Sequence, residues 1–285
     1  MPVNQLESWI SLQIEHPRKA ILTRKALREW QKKKLLQTIF QAREHSPWYR
    51  KRLSGLVVPE NGSVDHILNA LPLTTTDDLR NHGQDMVCCS QADIQRVVTL
   101  HSSGTSGLPK RIFFTAADLE LTKEFFQYGM PLVAGPGDAV LIMLPSERDF
   151  DVGTLLVDAL NQAGFSAHVQ WPAHDPRLVA RAVCQTRANC LVGMPQHLLP
   201  LARDPELAQK TAPFINSVLL CSDYAAPCVR QAIADNLKSR VHLHYGSTES
   251  GLGGAVECKA GQGCHIREND LIFEVIDPES GEPVP

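Results

Sequence analysis

A stretch of small hydroxylated residues, glycines and one lysine offers the richest chemistry in this sequence. Residues 101–110 read His-Ser-Ser-Gly-Thr-Ser-Gly-Leu-Pro-Lys and lie between two short apolar segments typical of strands, 96–100 and 111–115. Glycines allow close backbone approach, N–H and hydroxyl groups donate hydrogen bonds to an anion, and lysine adds positive charge. The sequence therefore predicts a loop that binds the phosphates of a nucleotide, formed by Ser102, Ser103, Gly104, Thr105, Ser106, Gly107 and Lys110.

This loop differs from two common nucleotide-binding loops. A Walker loop needs Gly-x-x-x-x-Gly-Lys-Ser/Thr, and the dinucleotide fingerprint needs Gly-x-Gly-x-x-Gly at the start of a helix. Here Gly104 and Gly107 are three residues apart, Pro109 precedes the lysine, and a strand pattern follows. A Ser/Gly-rich surface turn is the alternative, although such turns rarely carry Pro-Lys directly before an apolar strand.

A second polar loop follows the strand pattern of residues 240–245 and reads Tyr-Gly-Ser-Thr-Glu-Ser-Gly at 245–251. Ligands of open α/β sheets bind beyond the carboxyl ends of strands, which is where this loop lies. Tyr245 offers an aromatic face for a purine, Thr248 a hydroxyl for a phosphate, and Glu249 a carboxylate for Mg²⁺. The predicted second half of the nucleotide site is Tyr245, Gly246, Ser247, Thr248 and Glu249.

Together the two loops resemble the paired motifs of the adenylate-forming enzymes, the superfamily of acyl-CoA synthetases, luciferase and the adenylation domains of peptide synthetases. The first is similar to their Ser/Thr-Ser-Gly-Thr-Ser/Thr-Gly-x-Pro-Lys loop, and the second to their aromatic-Gly-x-Thr-Glu motif. Within the superfamily the chain resembles the phenylacetate–CoA ligases and their relatives, including coenzyme F390 synthetase-like proteins, most closely, over nearly its whole length. The residues that carry this resemblance are Ser-Pro-Trp-Tyr-Arg at 46–50, Leu-Pro-Leu-Thr at 71–74 and the tail from Gly254 to Glu282.

The resemblance implies an AMP-forming ligation in two half-reactions. ATP and a carboxylate, implied to be aryl, give an acyl-adenylate and pyrophosphate, and the thiol of CoA then displaces AMP. Catalysis would rest on positioning and on neutralising negative charge, with Mg²⁺ held by Glu249. The implied catalytic residues are Thr105, Lys110, Thr248 and Glu249.

A third segment, residues 219–227, follows a predicted strand where the superfamily usually has a loop beside the adenine. By that resemblance Ser222 and Asp223 would occupy the adenine side of the site. The segment has Ala226 where an acidic residue is common. An ordinary strand-to-helix cap is therefore an equal alternative for these two residues.

Three other functions stay open at the level of sequence. The chain could bind AMP or an acyl-adenylate without making it, or it could pass the acyl group to an acceptor other than CoA. An ATP-dependent phosphotransferase of α/β fold is a rival from a different class. Release of pyrophosphate rather than formation of ADP distinguishes a ligase from that rival.

Alternating strand and helix patterns must position these loops. Apolar runs of strand length alternate with helical periodicity from residue 95 to residue 245, with strands expected at 138–145, 165–171, 190–194, 217–221 and 240–245 and helices at 116–130, 152–163, 176–186 and 226–237. This alternation predicts an α/β fold with a largely parallel sheet and helices on both faces. The resemblance implies the layered β-sheets of the large N-terminal domain of adenylate-forming enzymes.

Helical periodicity precedes the sheet pattern. It extends from Leu6 to about Leu53 with a break at Ser46-Pro47, and Thr76 is predicted to cap a helix that begins at Asp77. We therefore divide the chain into a helical segment, residues 1–90, that packs on the core, and an α/β nucleotide- and acyl-binding core, residues 91–285. The chain stops within a tail that continues in the family, so we expect the C-terminal domain to be absent and turnover to be poor.

Two thiols and an imidazole lie within eight residues in Cys-Lys-Ala-Gly-Gln-Gly-Cys-His at 258–265. Cys258, Cys264 and His265 would form a structural Zn²⁺ site if one more ligand joined them. A loop of reduced cysteines and a disulfide are the alternatives, since this spacing is not that of a standard zinc finger. The other cysteines are expected to be reduced and mostly buried.

Composition excludes several classes of protein. Hydrophobic residues make up 43% and charged residues 21% of the 285 residues, as in ordinary globular proteins. The net charge of -3 gives no basic field that would attract nucleic acid. A run of about 18 apolar residues, which a membrane span needs, is missing. The expected location is the cytoplasm, and a homodimer stays open because some relatives dimerise.

Overall fold

The computed structural model describes residues 4–14, 22–100, 109–281 and 283–284. The predicted phosphate-loop residues Ser102 to Gly107 lie outside these ranges. The chain forms two compact units. The sheet unit comprises Met1–Trp9, Ala92–Val98 and Ile112–Ile266, and the helical unit comprises Ile10–Gln91, Thr99–Arg111 and Arg267–Pro285. The tail after Ile266 thus groups with the helices, whereas the sequence placed it in the core.

Helices dominate the part of the chain before the first strand. Those described are α1 (Gln5–Gln13), α2 (Arg24–His45), α3 (Pro47–Arg52), α4 (Val64–Asn69) and α5 (Thr76–His82). The break predicted at Ser46-Pro47 separates α2 from α3, where the Ser46 hydroxyl accepts a hydrogen bond from Tyr49 N at 3.2 Å. A serine that caps a helix with proline at its first position is a strong start signal.

The cap of α5 corrects the prediction by one residue. Thr75, not Thr76, is the N-cap: its hydroxyl accepts from Asp78 N at 3.1 Å, and the Asp78 carboxylate accepts from Thr75 N at 2.8 Å. A capping box needs an acidic or amide side chain three residues after the cap. Asp78 lies at that distance from Thr75, and so it selects the second of three consecutive threonines.

The sheet unit alternates strands and helices as the sequence predicts. Its elements are β1 (Ile94–Leu100), β2 (Lys110–Thr115), α6 (Ala116–Gly129), β3 (Ala139–Met143), α7 (Val152–Gln162), β4 (Ser166–Val169), α8 (Pro176–Thr186), β5 (Cys190–Gly193), α9 (Pro195–Arg203), α10 (Pro205–Thr211), β6 (Ser217–Leu220), α11 (Pro227–Leu237), β7 (Arg240–Tyr245), β8 (Ala255–Glu257) and β9 (Cys264–Ile266). Strands β1 and β2 pair as a two-stranded sheet. The other seven form one sheet in the order β4-β3-β5-β6-β7-β8-β9.

Strands β3 to β7 are parallel, and β8 and β9 extend the sheet antiparallel. Parallel strands buried on both faces are continuously apolar, which is why β5 (Cys-Leu-Val-Gly) and β6 (Ser-Val-Leu-Leu) lack polar alternation. Alternate strand residues such as Leu141, Leu191 and Val218 pack into one core with apolar residues of α8 to α11. Helix α7 packs on β3 and β4, and α6 packs on α7. The predicted α/β class is confirmed.

None of the described helices combines the length with the apolar character that crossing a bilayer requires.

Candidate functional site

Two polar loops lie side by side at the carboxyl edge of the parallel sheet. Leu220 of β6 pairs with Leu243 of β7. Ser222 follows the first of these residues by two positions, and Tyr245 follows the second by two positions. Because neighbouring parallel strands end at the same edge, loop 221–226 and loop 246–254 both lie at the edge where ligands of open α/β sheets usually bind.

The loop after β7 is a closed hairpin connection. Tyr245 pairs with Ala255 of β8, and Gly254 N donates to Tyr245 O at 3.0 Å. Within the loop, Ser247 N donates to Ser250 Oγ at 3.0 Å and Ser250 N donates to Ser247 Oγ at 3.2 Å. These reciprocal bonds form a turn whose two central residues are Thr248 and Glu249. The predicted phosphate and Mg²⁺ ligands therefore lie at the tip of an ordered turn.

Helix α6 contacts the loop that contains this turn and supports it. The Thr122 hydroxyl, almost fully buried, donates to Gly251 O at 2.9 Å and also lies 2.9 Å from Asp118 O. A Cβ atom at Gly253 would lie 2.4 Å from Cδ1 of the buried Phe125 ring, a distance that real Cβ atoms do not show. Glycine at this position thus lets the loop pack directly on α6.

The imidazole of His244 lies next to this loop. Burial lowers the pKa of His244 to about 4, so its imidazole is uncharged at neutral pH. Its Nε2 is buried and has no hydrogen-bond partner among the described residues. A Cβ atom at Gly246 would lie 2.9 Å from His244 Cε1, so glycine is needed where the chain passes over this ring. Above it, the Tyr245 side chain is 61% exposed and its ring is accessible for stacking.

Ser222 and Asp223 are exposed at the start of the neighbouring loop. Ser222 has a φ of 68°, a left-handed conformation that non-glycine residues rarely adopt and that often marks functional sites. Asp223 Oδ1 accepts from Tyr224 N at 2.7 Å, which leaves the rest of the carboxylate available. The N-cap of α11 is Ala226, with no side-chain capping bond. Neither Ser222 nor Asp223 is therefore the capping residue of this helix, and an ordinary strand-to-helix connection stays open as the alternative for the segment.

Lys110 is the first residue of β2 and is partly buried. The remaining predicted phosphate-loop residues, including Thr105, fall in the undescribed range 101–108. Their roles stay predictions.

The three residues expected to bind zinc, Cys258, Cys264 and His265, do not form a cluster in the described part of the chain. No group of three or more His, Cys, Asp and Glu side chains within the described ranges is arranged to hold a metal. Cys264 and His265 are neighbours on β9, and successive strand residues point to opposite faces. His265 Nδ1 lies 3.3 Å from Asn4 Nδ2, whereas Cys264 Sγ lies 3.9 Å from Leu243 O. Cys258 and Cys264 are free thiols, so the disulfide alternative is wrong.

Sequence reasoning missed the side chains that support the two loops. Besides Thr122, these are Arg230 of α11 and Glu257 of β8, which form an ion pair at 2.8 Å. Glu257 occurs in an apolar strand segment, Ala-Val-Glu, and a charged residue at a buried strand position was a usable signal. Arg230 occurs on a helix with other polar residues, and its sequence context carried no such signal.

A mostly parallel sheet with polar loops beyond two adjacent strands is the architecture of nucleotide-binding α/β proteins. A family model described as AMP-binding enzyme matches residues 23–285. Because this match spans most of the chain, the protein belongs to the AMP-binding enzyme family.

Among characterised proteins, the chain is similar to a phenylacetate-coenzyme A ligase of Thermus thermophilus. The two are 26% identical over 295 residues, which cover 94% of this chain and 61% of the relative. The chain thus spans about three fifths of that relative's length.

Solved structures share the fold. A 2-hydroxyisobutyryl-CoA ligase in complex with 2-HIB-AMP and CoA matches with a TM-score of 0.79 and 21% identity, over 94% of this chain and 59% of that chain. The amide bond synthetase McbA from Marinactinospora thermotolerans matches with a TM-score of 0.52 and 21% identity, over 68% of this chain and 39% of that chain. The first match shows that this chain has the fold of the corresponding part of that CoA ligase.

Proposed function

We propose that this chain is the nucleotide- and acyl-binding part of an AMP-forming carboxylate–CoA ligase. The observation that carries the proposal is the pairing of loop 221–226 with loop 246–254 at the carboxyl ends of adjacent parallel strands. Membership of the AMP-binding enzyme family supports it, as does the similarity to a phenylacetate-coenzyme A ligase.

Each residue on the adenine side of the proposed nucleotide site has a role. The exposed ring of Tyr245 stacks on the adenine, and Ser222 and Asp223 accept and donate hydrogen bonds at its edge. Gly246 and Ser247 let the backbone approach the nucleotide. Base–aromatic stacking is worth about 1–3 kcal/mol in other nucleotide sites, so the tyrosine contributes much of the affinity.

We assign the phosphate side of the site to Thr248 and Glu249, and Lys110 keeps the phosphate-binding role predicted for it from the sequence. Glu249 is exposed at the tip of its turn, and a carboxylate in this position fits the preference of Mg²⁺ for oxygen ligands. When bound, Mg²⁺ would offset the charge of the phosphates. Lys110 and the Thr248 hydroxyl would stabilise charge on the same groups.

In the proposed reaction a carboxylate oxygen attacks the α-phosphorus of ATP, and the bond to pyrophosphate breaks. The CoA thiolate then attacks the acyl carbon, and AMP leaves. The neutral imidazole and aromatic side chains below loop 246–254 provide an apolar base for this chemistry. An aryl acid is the proposed substrate class, and the cytoplasm, where ATP and CoA are available, is the proposed location.

The test is the identity of the phosphorus products. The chain is incubated with ATP, Mg²⁺, CoA and a panel of aryl and short aliphatic acids. The proposal expects AMP and pyrophosphate to appear in an acid-dependent manner, and less of both with Glu249→Gln. Glu206→Gln, an exposed glutamate on α10, is the matched control and should leave the products unchanged. Formation of ADP would instead identify a phosphotransferase.

The acyl acceptor is tested separately. The fold is shared with an amide bond synthetase as well as a CoA ligase, so an amine is the relevant competitor of CoA. If acid-dependent pyrophosphate release is matched by an acyl-amide rather than an acyl-CoA, the ligase class stands and the acceptor changes.

A further inference from the structure

A buried carboxylate joins three elements directly behind the two loops. Glu257, at the end of β8, has a side chain that is only 4% exposed. Its Oε2 accepts from Arg230 Nη2 of α11 at 2.8 Å and from Leu243 N of β7 at 3.0 Å. Arg230 Nη2 also donates to Val241 O of β7 at 2.8 Å. Helix and hairpin are thus linked through two side chains.

A contribution to stability does not by itself explain why the Arg230–Glu257 ion pair is present. Burying a carboxylate costs several kcal/mol of solvation free energy, and a well-packed apolar pair of similar volume is often at least as stable. The best-attested use of such pairs is to fix one arrangement of the elements that they join. Both hydrogen-bonding contacts to Glu257 come from elements that lead into or out of the candidate site.

The hydrogen-bonded residues Leu243 and Glu257 each lie two residues from the Tyr245–Ala255 strand pair at the base of loop 246–254. Leu243 precedes Tyr245 by two residues, and Glu257 follows Ala255, the strand partner of Tyr245, by two residues. Arg230 lies in the first turns of α11, directly after loop 221–226. A shift of α11 relative to β7 would therefore move Ser222 and Asp223 relative to Tyr245.

We propose that Arg230 and Glu257 are positioning residues that hold loop 221–226 in register with loop 246–254 and thereby set the affinity for the adenine nucleotide. This inference rests on the proposed function, because that function assigns the nucleotide to these loops. Neither side chain contacts the nucleotide in this arrangement. Their effect is transmitted through α11 and the β7–β8 hairpin.

The test uses Glu257→Gln, which keeps the shape and removes the charge, and Arg230→Gln, whose site is one third exposed and tolerates change more easily. The matched control is Asp138→Asn. Asp138 directly precedes β3 and so lies at the amino ends of the parallel strands, opposite the two loops. Asp138 Oδ1 accepts from Asn189 Nδ2 at 2.7 Å and Oδ2 accepts from Gly135 N at 2.6 Å. Each variant is measured for AMP affinity by calorimetry and for amide hydrogen exchange in both loops, below its unfolding temperature.

The proposal expects both site variants to bind AMP roughly tenfold or more weakly, by analogy with the residues that orient the ligands of metal sites. It also expects faster hydrogen exchange in residues 221–226 and 246–254, and a double variant no weaker than the worse single variant. Asp138→Asn should lower the melting temperature without either effect. Unchanged loop exchange and unchanged AMP affinity in both site variants would overturn the inference. If the wild-type chain bound no nucleotide, the proposed function would fail, and the exchange data would still decide whether the pair positions the loops.

Discussion

Substitution of Gly253 by alanine tests how the loop after β7 is supported. Gly253 is buried, and an added Cβ atom would lie 2.4 Å from Cδ1 and 2.6 Å from Cε1 of Phe125. Phe125 is 1% exposed, and the ring centroids of Phe126 and His244 each lie 6.2 Å from that of its own ring. Because the ring cannot move aside, the loop must shift.

Overpacking of a filled core costs about 1–3 kcal/mol. For a chain of this size that corresponds to a melting temperature lower by about 2–5 °C. The assay is thermal unfolding followed by circular dichroism, together with AMP titration. Gly135→Ala is the matched control, since its Cβ would meet its nearest atom, Asp138 Oδ2, at an ordinary 3.5 Å. It should leave the melting temperature nearly unchanged.

A second substitution tests whether the clash with the Phe125 ring causes the loss of stability. Phe125→Leu shortens the obstructing ring, so it should recover part of the stability lost in Gly253→Ala, with a coupling free energy of about 0.5–3 kcal/mol. The reasoning is refuted if Gly253→Ala is as stable as the wild type, or if the two substitutions are simply additive.

Two further predictions concern titratable groups. His244 has its pKa lowered by burial from 6.5 to about 4. The unfolded chain therefore binds a proton that the folded chain does not, and stability should fall as the pH drops from 6.5 towards 4. His244→Gln should flatten this part of the pH profile of the urea midpoint; an unaltered profile would contradict the assignment. Burial also raises the pKa of Cys190 and Cys221 to about 12. A thiol reagent at pH 8 should modify the exposed Cys228 at once and these two only after unfolding, as peptide mass mapping would show.

The parallel part of the fold could be predicted from the sequence because its signals are local. Apolar runs of strand length mark buried parallel strands, and the bounds predicted at 176–186 and 240–245 match α8 and β7. The position of loop 246–254 then follows from a general rule, since ligand loops of such sheets lie at the carboxyl ends of strands.

The antiparallel extension could not be predicted in the same way. Strands β8 and β9 have three residues each, and the pairing of β8 with β7 and of β9 with β8 depends on contacts that no local pattern specifies. Without that pairing, the cysteines and histidine of residues 258–265 looked like a metal-binding loop. Strand geometry separates Cys264 from His265, and this is the physical reason that these side chains do not form a metal cluster in the described part of the chain.

The supporting side chains were hidden for a related reason. Periodicity shows which face of α6 or α11 is buried, but it does not show that Thr122 reaches Gly251 or that Arg230 reaches Glu257. Such contacts join residues far apart in the chain. They become visible only once the sheet order is known.

The most direct test of the central claim is calorimetric titration of the chain with AMP and with ATP–Mg²⁺. Tyr245→Ala should weaken both ligands about 5- to 150-fold, because it removes the stacking contact. Glu249→Gln and Lys110→Ala should weaken ATP–Mg²⁺ more than AMP, whereas Lys210→Ala, an exposed lysine of α10, should change neither. Nucleotide binding that is indifferent to Tyr245, Glu249 and Lys110 would contradict the account, since the nucleotide would then lie elsewhere.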